Sequence, residues 1–325
     1  MARGSRLDWA LFFLLGFCWG SSYLFIKIGV ESLPPLTLVA GRLFIGALLL
    51  ATVVRVAGEP LPRDRHTYGH LTVMALLNIV IPFALITWAE QSVDSALASI
   101  LNATVPLFTI GFAAAYLHDE PVTVNRAIGL LVGFAGVVLL TSRTLGAGAA
   151  LDSHQLAGEI ALIGSAASYA AGNVYARRNI HLRPMITAFF QVSLALLIVA
   201  VLAFMFERPW TVTPRPEAIL AVTWLGLLGS GLAYLLFFRL LARWGSTRSS
   251  LVAYLLPVVG IALGMLVLHE QVDTRVLAGT ALIIGGVALV NSRYGSRRLF
   301  GRSSPRAEGL PEIGLGPRRT RSDQG

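Results

Sequence analysis

The sequence predicts an all-α polytopic membrane protein with ten transmembrane helices in two inverted five-helix repeats. Three observations carry this. The 325 residues are 55% hydrophobic and 13% charged, with a mean hydropathy of +0.70, whereas a soluble domain carries about 25% charged residues. The apolar residues fall in blocks of about 20, enough to span a hydrocarbon core of about 30 Å. The second half repeats the first at a shift of 150 positions, so that Glu120 recurs as Glu270. In lipid the backbone must satisfy its own hydrogen bonds, so these blocks are helices.

The first block, about residues 8–28, is too long for a signal-peptide core, and Phe17 stands before Cys18 where a lipoprotein signal needs a small residue. It reads as an uncleaved helix. The second block, about 34–54, opens at Pro34; the third, about 69–89, and the fourth, about 95–117, contain Pro82 and Pro106. The fifth, about 123–141, is rich in glycine. The second set runs at about 156–176, 184–206, 217–239, 248–268 and 274–291. Pro, Gly, Asp and Arg punctuate the short connections. The chain divides into a first repeat (1–142), a connecting loop (143–155), a second repeat (156–292) and a basic tail (293–325). The tail is Pro- and Gly-rich and is expected to be disordered, with a weak attraction to anionic lipid.

The net charge of +9 is explained by topology and does not imply nucleic acid. If the N-terminus is cytoplasmic, the inner segments hold Arg3, Arg6, Arg55, Arg63, Arg65, Arg126, Arg177, Arg178, Arg183, Arg239, Arg243 and Arg248. The outer ones hold Lys27, Arg143, Arg208, Arg215 and Arg275. The bias places both termini in the cytoplasm. Cys18 is the only cysteine, which excludes an intramolecular disulfide and a thiolate metal cluster. Neither a phosphate-cradling glycine loop nor a helical zinc pair is present. No metal, cofactor or catalytic residue is assigned.

The copies match in detail. Val122, Gly129 and Gly136 correspond to Val272, Gly279 and Gly286, while Trp19, Tyr23 and Lys27 correspond to Tyr169, Asn173 and Arg177. Each copy has five spans, and five is odd, so the second half enters the membrane from the opposite side. Glu120 and Glu270 then lie a bilayer apart and cannot share a site. Each is expected to serve the positive N-terminus of the helix that follows it. The glycines of spans 5 and 10 (Gly129, Gly133, Gly136, Gly279, Gly285 and Gly286) permit close helix approach, either within the chain or as a homodimer face through these two helices.

The stretches "WGSSYLFIKIGV", "AGRLFIGALLL", "ASILNATVPLFT" and "LAYLLFFRLLARWGSTRSSLVAYLLPVVG", with two five-helix copies, resemble the drug/metabolite transporter superfamily and its EamA-like ten-helix members. The resemblance covers about residues 8–293. It implies two four-helix groups around a central cavity, with spans 5 and 10 outside. It also implies export of amino acids, drugs or other small metabolites.

Polar groups in hydrocarbon are expensive and face a cavity or a partner. On that ground Trp19, Tyr23, Asn78, Asn102, Tyr169, Asn173, Tyr234 and Tyr254 are the candidate solute-binding residues. The competing reading is that they join helices by hydrogen bonds. Lys27, Arg42 and Arg177 are candidate gating or charge residues. Arg42 sits about eight residues into span 2, roughly 12 Å deep. Pro82 and Pro106 each withhold a hydrogen bond from the carbonyl of an asparagine, Asn78 and Asn102, and Pro257 kinks span 9. Each freed carbonyl is open to solute, or else the Asn side chain repairs the backbone.

The expectation is a bacterial inner-membrane exporter of small amphipathic solutes, working by alternating access and not an enzyme. Its partners are a small-molecule substrate and the lipid bilayer. The alternatives are a lipid-carrier flippase, an intramembrane enzyme with convergent Asp, His or Ser at depth, and a non-transporting scaffold with a dry centre.

Overall fold

The structure, a computed structural model, describes residues 6–62, 64–116, 122–146, 153–179, 182–244, 250–291 and 298–300. His118, Asp119, Glu120 and Pro121 lie outside the described residues, as does most of the tail. The architecture is helical. In the first half run α1 (Arg6–Val30), α2 (Pro35–Val56), α3 (Arg65–Ala75), a π-helical segment (Leu76–Val80), α4 (Ile81–Ala89), α5 (Ser95–Asn102), α6 (Val105–Tyr116) and α7 (Val124–Gly146). In the second run α8 (Ser153–Asn179), α9 (Pro184–Phe206), α10 (Pro216–Trp224), a second π segment (Leu225–Leu232) and α11 (Ala233–Trp244). A 3₁₀ stretch (Ser250–Tyr254), α12 (Leu255–Val267) and α13 (Thr274–Asn291) complete it.

Joined across their irregular segments, these helices form the ten predicted spans. Seven are long and apolar enough to cross a membrane by length and composition. Two shorter apolar helices, Val252–Val267 and Thr274–Leu289, accompany them, and the more polar α8 is 27 residues long. Large apolar side chains such as Phe44, Leu48, Leu197 and Phe204 are exposed, as lipid-facing residues must be.

The irregular segments lie where the sequence breaks helical bonding. Pro82 has no N–H, and span 3 adjusts by widening into the Leu76–Val80 π turn before it; the Ile81 amide reaches back to Leu76. Span 4 stops at Asn102 and restarts at Val105, one residue before Pro106. Pro257 follows the 3₁₀ stretch that opens span 9. The second π segment has no proline; Gly226, Gly229 and Gly231 loosen it instead.

Contacts at the helix ends fix the relative directions. At one end, Glu207 accepts from the Leu36 and Thr37 amides at 2.8 and 2.7 Å, and Glu270 accepts from Ser95 and Ala96 at 2.8 and 2.9 Å. At the other, Arg183 pairs with Glu59 at 2.6 Å and Arg243 with Asp8 at 2.8 Å. The C-terminus of α1 therefore shares the Glu270 end with the N-terminus of α5, while the C-terminus of its repeat mate α8 lies at the Glu59 end, where Tyr175 meets His70. The two halves run in opposite directions.

Two expectations are corrected. Glu270 does cap a helix N-terminus, but that of α5 in the other half; Asp273 caps α13 through the Val276 amide. In the tail, Arg298–Phe300 forms a strand paired with Val122–Thr123, so these three residues are ordered. Gly129, Gly133 and Gly136 of span 5 meet Gly279 and Gly286 of span 10 within the chain. A Cβ on Gly136 would lie 2.8 Å from the Gly279 carbonyl oxygen, and one on Gly286 would lie 2.6 Å from the Gly129 oxygen.

Candidate functional site

The core between the spans is a set of apolar clusters interrupted by polar chains. In the first chain, Tyr23 of α1 accepts a hydrogen bond from Asn102 Nδ2 at 2.7 Å, and Ser165 of α8 donates to Asn102 Oδ1 at 3.2 Å. It crosses spans 1, 4 and 6 and links both halves. It depends on the break at Asn102, which ends α5 there and leaves the amide free to bond sideways rather than repair its own helix. Asn78 belongs to the π turn and is buried beside Gly172, where any Cβ would collide with its amide. Its Oδ1 has no hydrogen-bond partner among the described residues. The neighbouring Leu77 carbonyl accepts from Ser168 of α8 at 2.8 Å.

The second chain contains the charge. Arg42 is 3% exposed. Its Nε donates to Ser230 of the second π segment at 3.2 Å, and its guanidinium carbon lies 4.2 Å from the centroid of the Phe83 ring. Ser22 and Gly229 adjoin it. Tyr23, Tyr169 and Tyr234 are within electrostatic reach of the guanidinium. Trp19 packs edge-on against Tyr234, with ring centroids 6.2 Å apart, and against Phe237 at 5.4 Å. Tyr169 is half-buried and contacts both main apolar clusters.

The structure thus gathers Trp19, Tyr23, Arg42, Asn102, Tyr169 and Tyr234 about one region, with Asn78 on the adjacent α8 face. Three candidates lie elsewhere. Asn173 is exposed on α8. Tyr254 packs in a separate cluster with Leu107 and Val287. Arg177 is exposed near the α8 terminus. The repeat offset could not separate these from the central group, because four residues along a kinked bundle move a side chain from the centre to the rim. Lys27 works at the Glu270 end, where its ammonium donates to the Glu90 and Val93 carbonyls, both at 2.8 Å. It clasps α1 to the α4–α5 turn.

Sequence reasoning missed Ser165, Ser230 and Phe83. Their types are unremarked in a membrane helix, and only the crossing of spans 2, 3 and 8, and of spans 4 and 6, gives them a partner. The available hint was the glycine-rich "GLLGSGL", which is flexible backbone holding one hydroxyl at depth. A concavity lined by Asp94, Gln155, Glu159, Glu270 and Asp273 lies at the rim of the Glu270 end. Among the described residues no cluster of His, Cys, Asp or Glu has metal-binding geometry.

The EamA-like transporter family matches residues 9–142 and again 156–292. The uncharacterized inner membrane transporter YedA of Escherichia coli is 30% identical over 279 residues, covering 86% of this chain and 88% of that one. The uncharacterized transporter YoaV of Bacillus subtilis is 24% identical over 86% of this chain and 95% of its own. A WAT1-related chloroplastic protein of Arabidopsis thaliana is 25% identical over 90% of this chain and 72% of its own. A solved crystal structure with 22% identity covers 88% of this chain and 96% of that one with a TM-score of 0.63, a likeness of fold.

Proposed function

The chain belongs to the EamA-like transporter family, and on that premise we propose that it exports small amphipathic solutes from a bacterial cell by alternating access. In this reading the solute sits between the two halves at the Tyr23–Asn102–Ser165 and Arg42–Ser230 chains. The halves rock about that point, exposing it to each side in turn. The chain occupies the inner membrane with both termini in the cytoplasm. The observation that carries the reading is the join itself: α2 and α5 of one half meet the second π segment and α8 of the other through side-chain hydrogen bonds, with α1 tied to α5 by Tyr23. Polar contacts of this sort can be broken and remade as the halves move, and a solute can replace them.

The energetics suit a moving part. Each neutral hydrogen bond contributes about 0.5–1.5 kcal/mol net, so the joining chains are strong enough to define a state and weak enough to exchange. The Glu207 and Glu270 carboxylates close the Glu270 end by charge-assisted bonds to helix N-termini in the other half, and such bonds are about twice as strong as neutral ones. The paired arginines at the Glu59 end, Arg183 and Arg243, have largely exposed side chains, and pairs of that kind contribute about 0–1 kcal/mol. The two ends are therefore held unequally.

The test uses purified protein in liposomes and labelled amino acids or related metabolites. Flux is expected in the wild type. Trp19→Ala and Asn102→Ala are expected to slow it at least several-fold while circular dichroism and gel filtration stay unchanged. Normal flux in both variants refutes these site assignments.

A further inference from the structure

Arg42 is a buried cation with most of its hydrogen-bonding capacity unused. A guanidinium carries five N–H donors. One, on Nε, goes to Ser230, and one face of the plane rests on Phe83. Neither contact cancels the charge. The donors on Nη1 and Nη2 have no hydrogen-bond partner among the described residues, and no carboxylate there pairs with Arg42. Glu90, two helical turns beyond Phe83 on the same span, acts on Arg42 through space but makes no hydrogen bond or ion pair with it. Such a charge inside a membrane protein is costly unless something pairs with it, and here the described residues supply one neutral hydroxyl, one ring face and the field of Glu90, but no ion pair.

We propose that Arg42 is the receptor for a carboxylate and that the solute carried is an amphipathic organic monoanion or zwitterion. The proposal rests on the transport reading above and narrows it to one solute class. Ser230 holds the Nε side and Phe83 holds the plane, which leaves the terminal Nη pair free. That fork matches the two oxygens of a carboxylate, which it binds through parallel hydrogen bonds. The charge count favours a monoanion. Lys27 of α1 is committed to two backbone carbonyls, so a doubly charged group would bring one charge that Arg42 cannot neutralise. The solute body would lie against the aromatic side chains of Trp19, Tyr169 and Tyr234, which offer apolar rings with polar tips.

The experiment holds the aromatic body constant and varies the charge: phenylacetate, phenylalanine, phenylalaninamide and phenethylamine, each loaded into proteoliposomes. The wild type is expected to move the two carboxylates at least ten-fold faster than the amide and the amine. Arg42→Gln should abolish that preference. Arg42→Lys should keep part of it, since it retains the charge without the fork. Should Arg42→Gln fail to fold, the wild type alone decides, because phenylacetate should raise its melting temperature in detergent and phenethylamine should not. Equal rates for acid and amide, an intact preference in Arg42→Gln, or neither transport nor binding of the acids overturns the proposal. Movement of amide or amine with the acids inert would overturn it while leaving the transport reading in place. Absence of flux for every small metabolite tried would remove both.

Discussion

Glu90 is enclosed completely, and neither oxygen of its carboxyl group has a hydrogen-bond partner among the described residues. It lies in the turn between α4 and α5, outside the spanning segments. Burial pushes its carboxyl well above the ordinary carboxylate range; the Lys27 ammonium opposes the rise and Glu270 adds to it. A carboxyl that holds its proton more tightly folded than unfolded stabilises the fold at pH below its ordinary value near 4.5. That contribution is lost as pH rises toward the folded value. The melting temperature in detergent should therefore fall as pH is raised from that value, with a slope of at most ~1.4 kcal/mol per pH unit from this group. Glu90→Gln, equal in shape and neutral, should lose that component. Identical slopes in both proteins would mean that Glu90 is ionised in the fold. At this scale the sequence was partly legible. Tyr23 and Asn102 stood out because a polar residue at depth needs a partner, but the partner Ser165 is one of many serines. The burial of Glu90 was not legible, because it comes from Lys27 and the α5 turn folding over it.

The elements divide into those that fix the fold and those that loosen it. Helices α7 and α13 are locked by small residues, and the glycines there are not equivalent. A Cβ on Gly286 would fall 2.6 Å from backbone atoms of Gly129 and Gly133, whereas a Cβ on Gly285 would meet nothing within 4 Å. Gly286→Ala should force the helices apart and cost about 1–3 kcal/mol. Gly285→Ala should be neutral or add up to about 1 kcal/mol through helix propensity. Thermal melts of the two single variants distinguish them, and equal destabilisation would contradict the packing described. Spans 3 and 8 have the opposite character. Both carry a π segment at corresponding depths of the two repeats, Leu76–Val80 and Leu225–Leu232. Each presents a polar side chain inward, Asn78 in one and Ser230 in the other. The first was legible through Pro82. The second was not, because three glycines permit a π turn without requiring one. The same limit applies to Glu270: a carboxylate before a helix is legible as a cap, but which helix it caps depends on how the halves pack.

For the whole molecule, the duplication was fully legible, since a shift of 150 positions relates proline, glycine and carboxylate positions at once, and an odd number of spans per copy leaves only one relative direction. The way the halves interlock was not legible. Span 1 packs on spans 8 and 9 of the other half, while span 6 packs on spans 3 and 4. Each half thus packs its first helix against the other, and Asn102 meets Ser165 and Arg42 meets Ser230 across the halves. The central claim is that the two halves enter the bilayer from opposite sides around this shared centre. Single cysteines placed at exposed Glu31 and Arg178 in a Cys18→Ser background test it most directly, using a membrane-impermeant maleimide on intact cells. The account predicts that Glu31→Cys is labelled from outside and that Arg178→Cys is labelled only after the membrane is permeabilised. Labelling of both positions from the same side would contradict it.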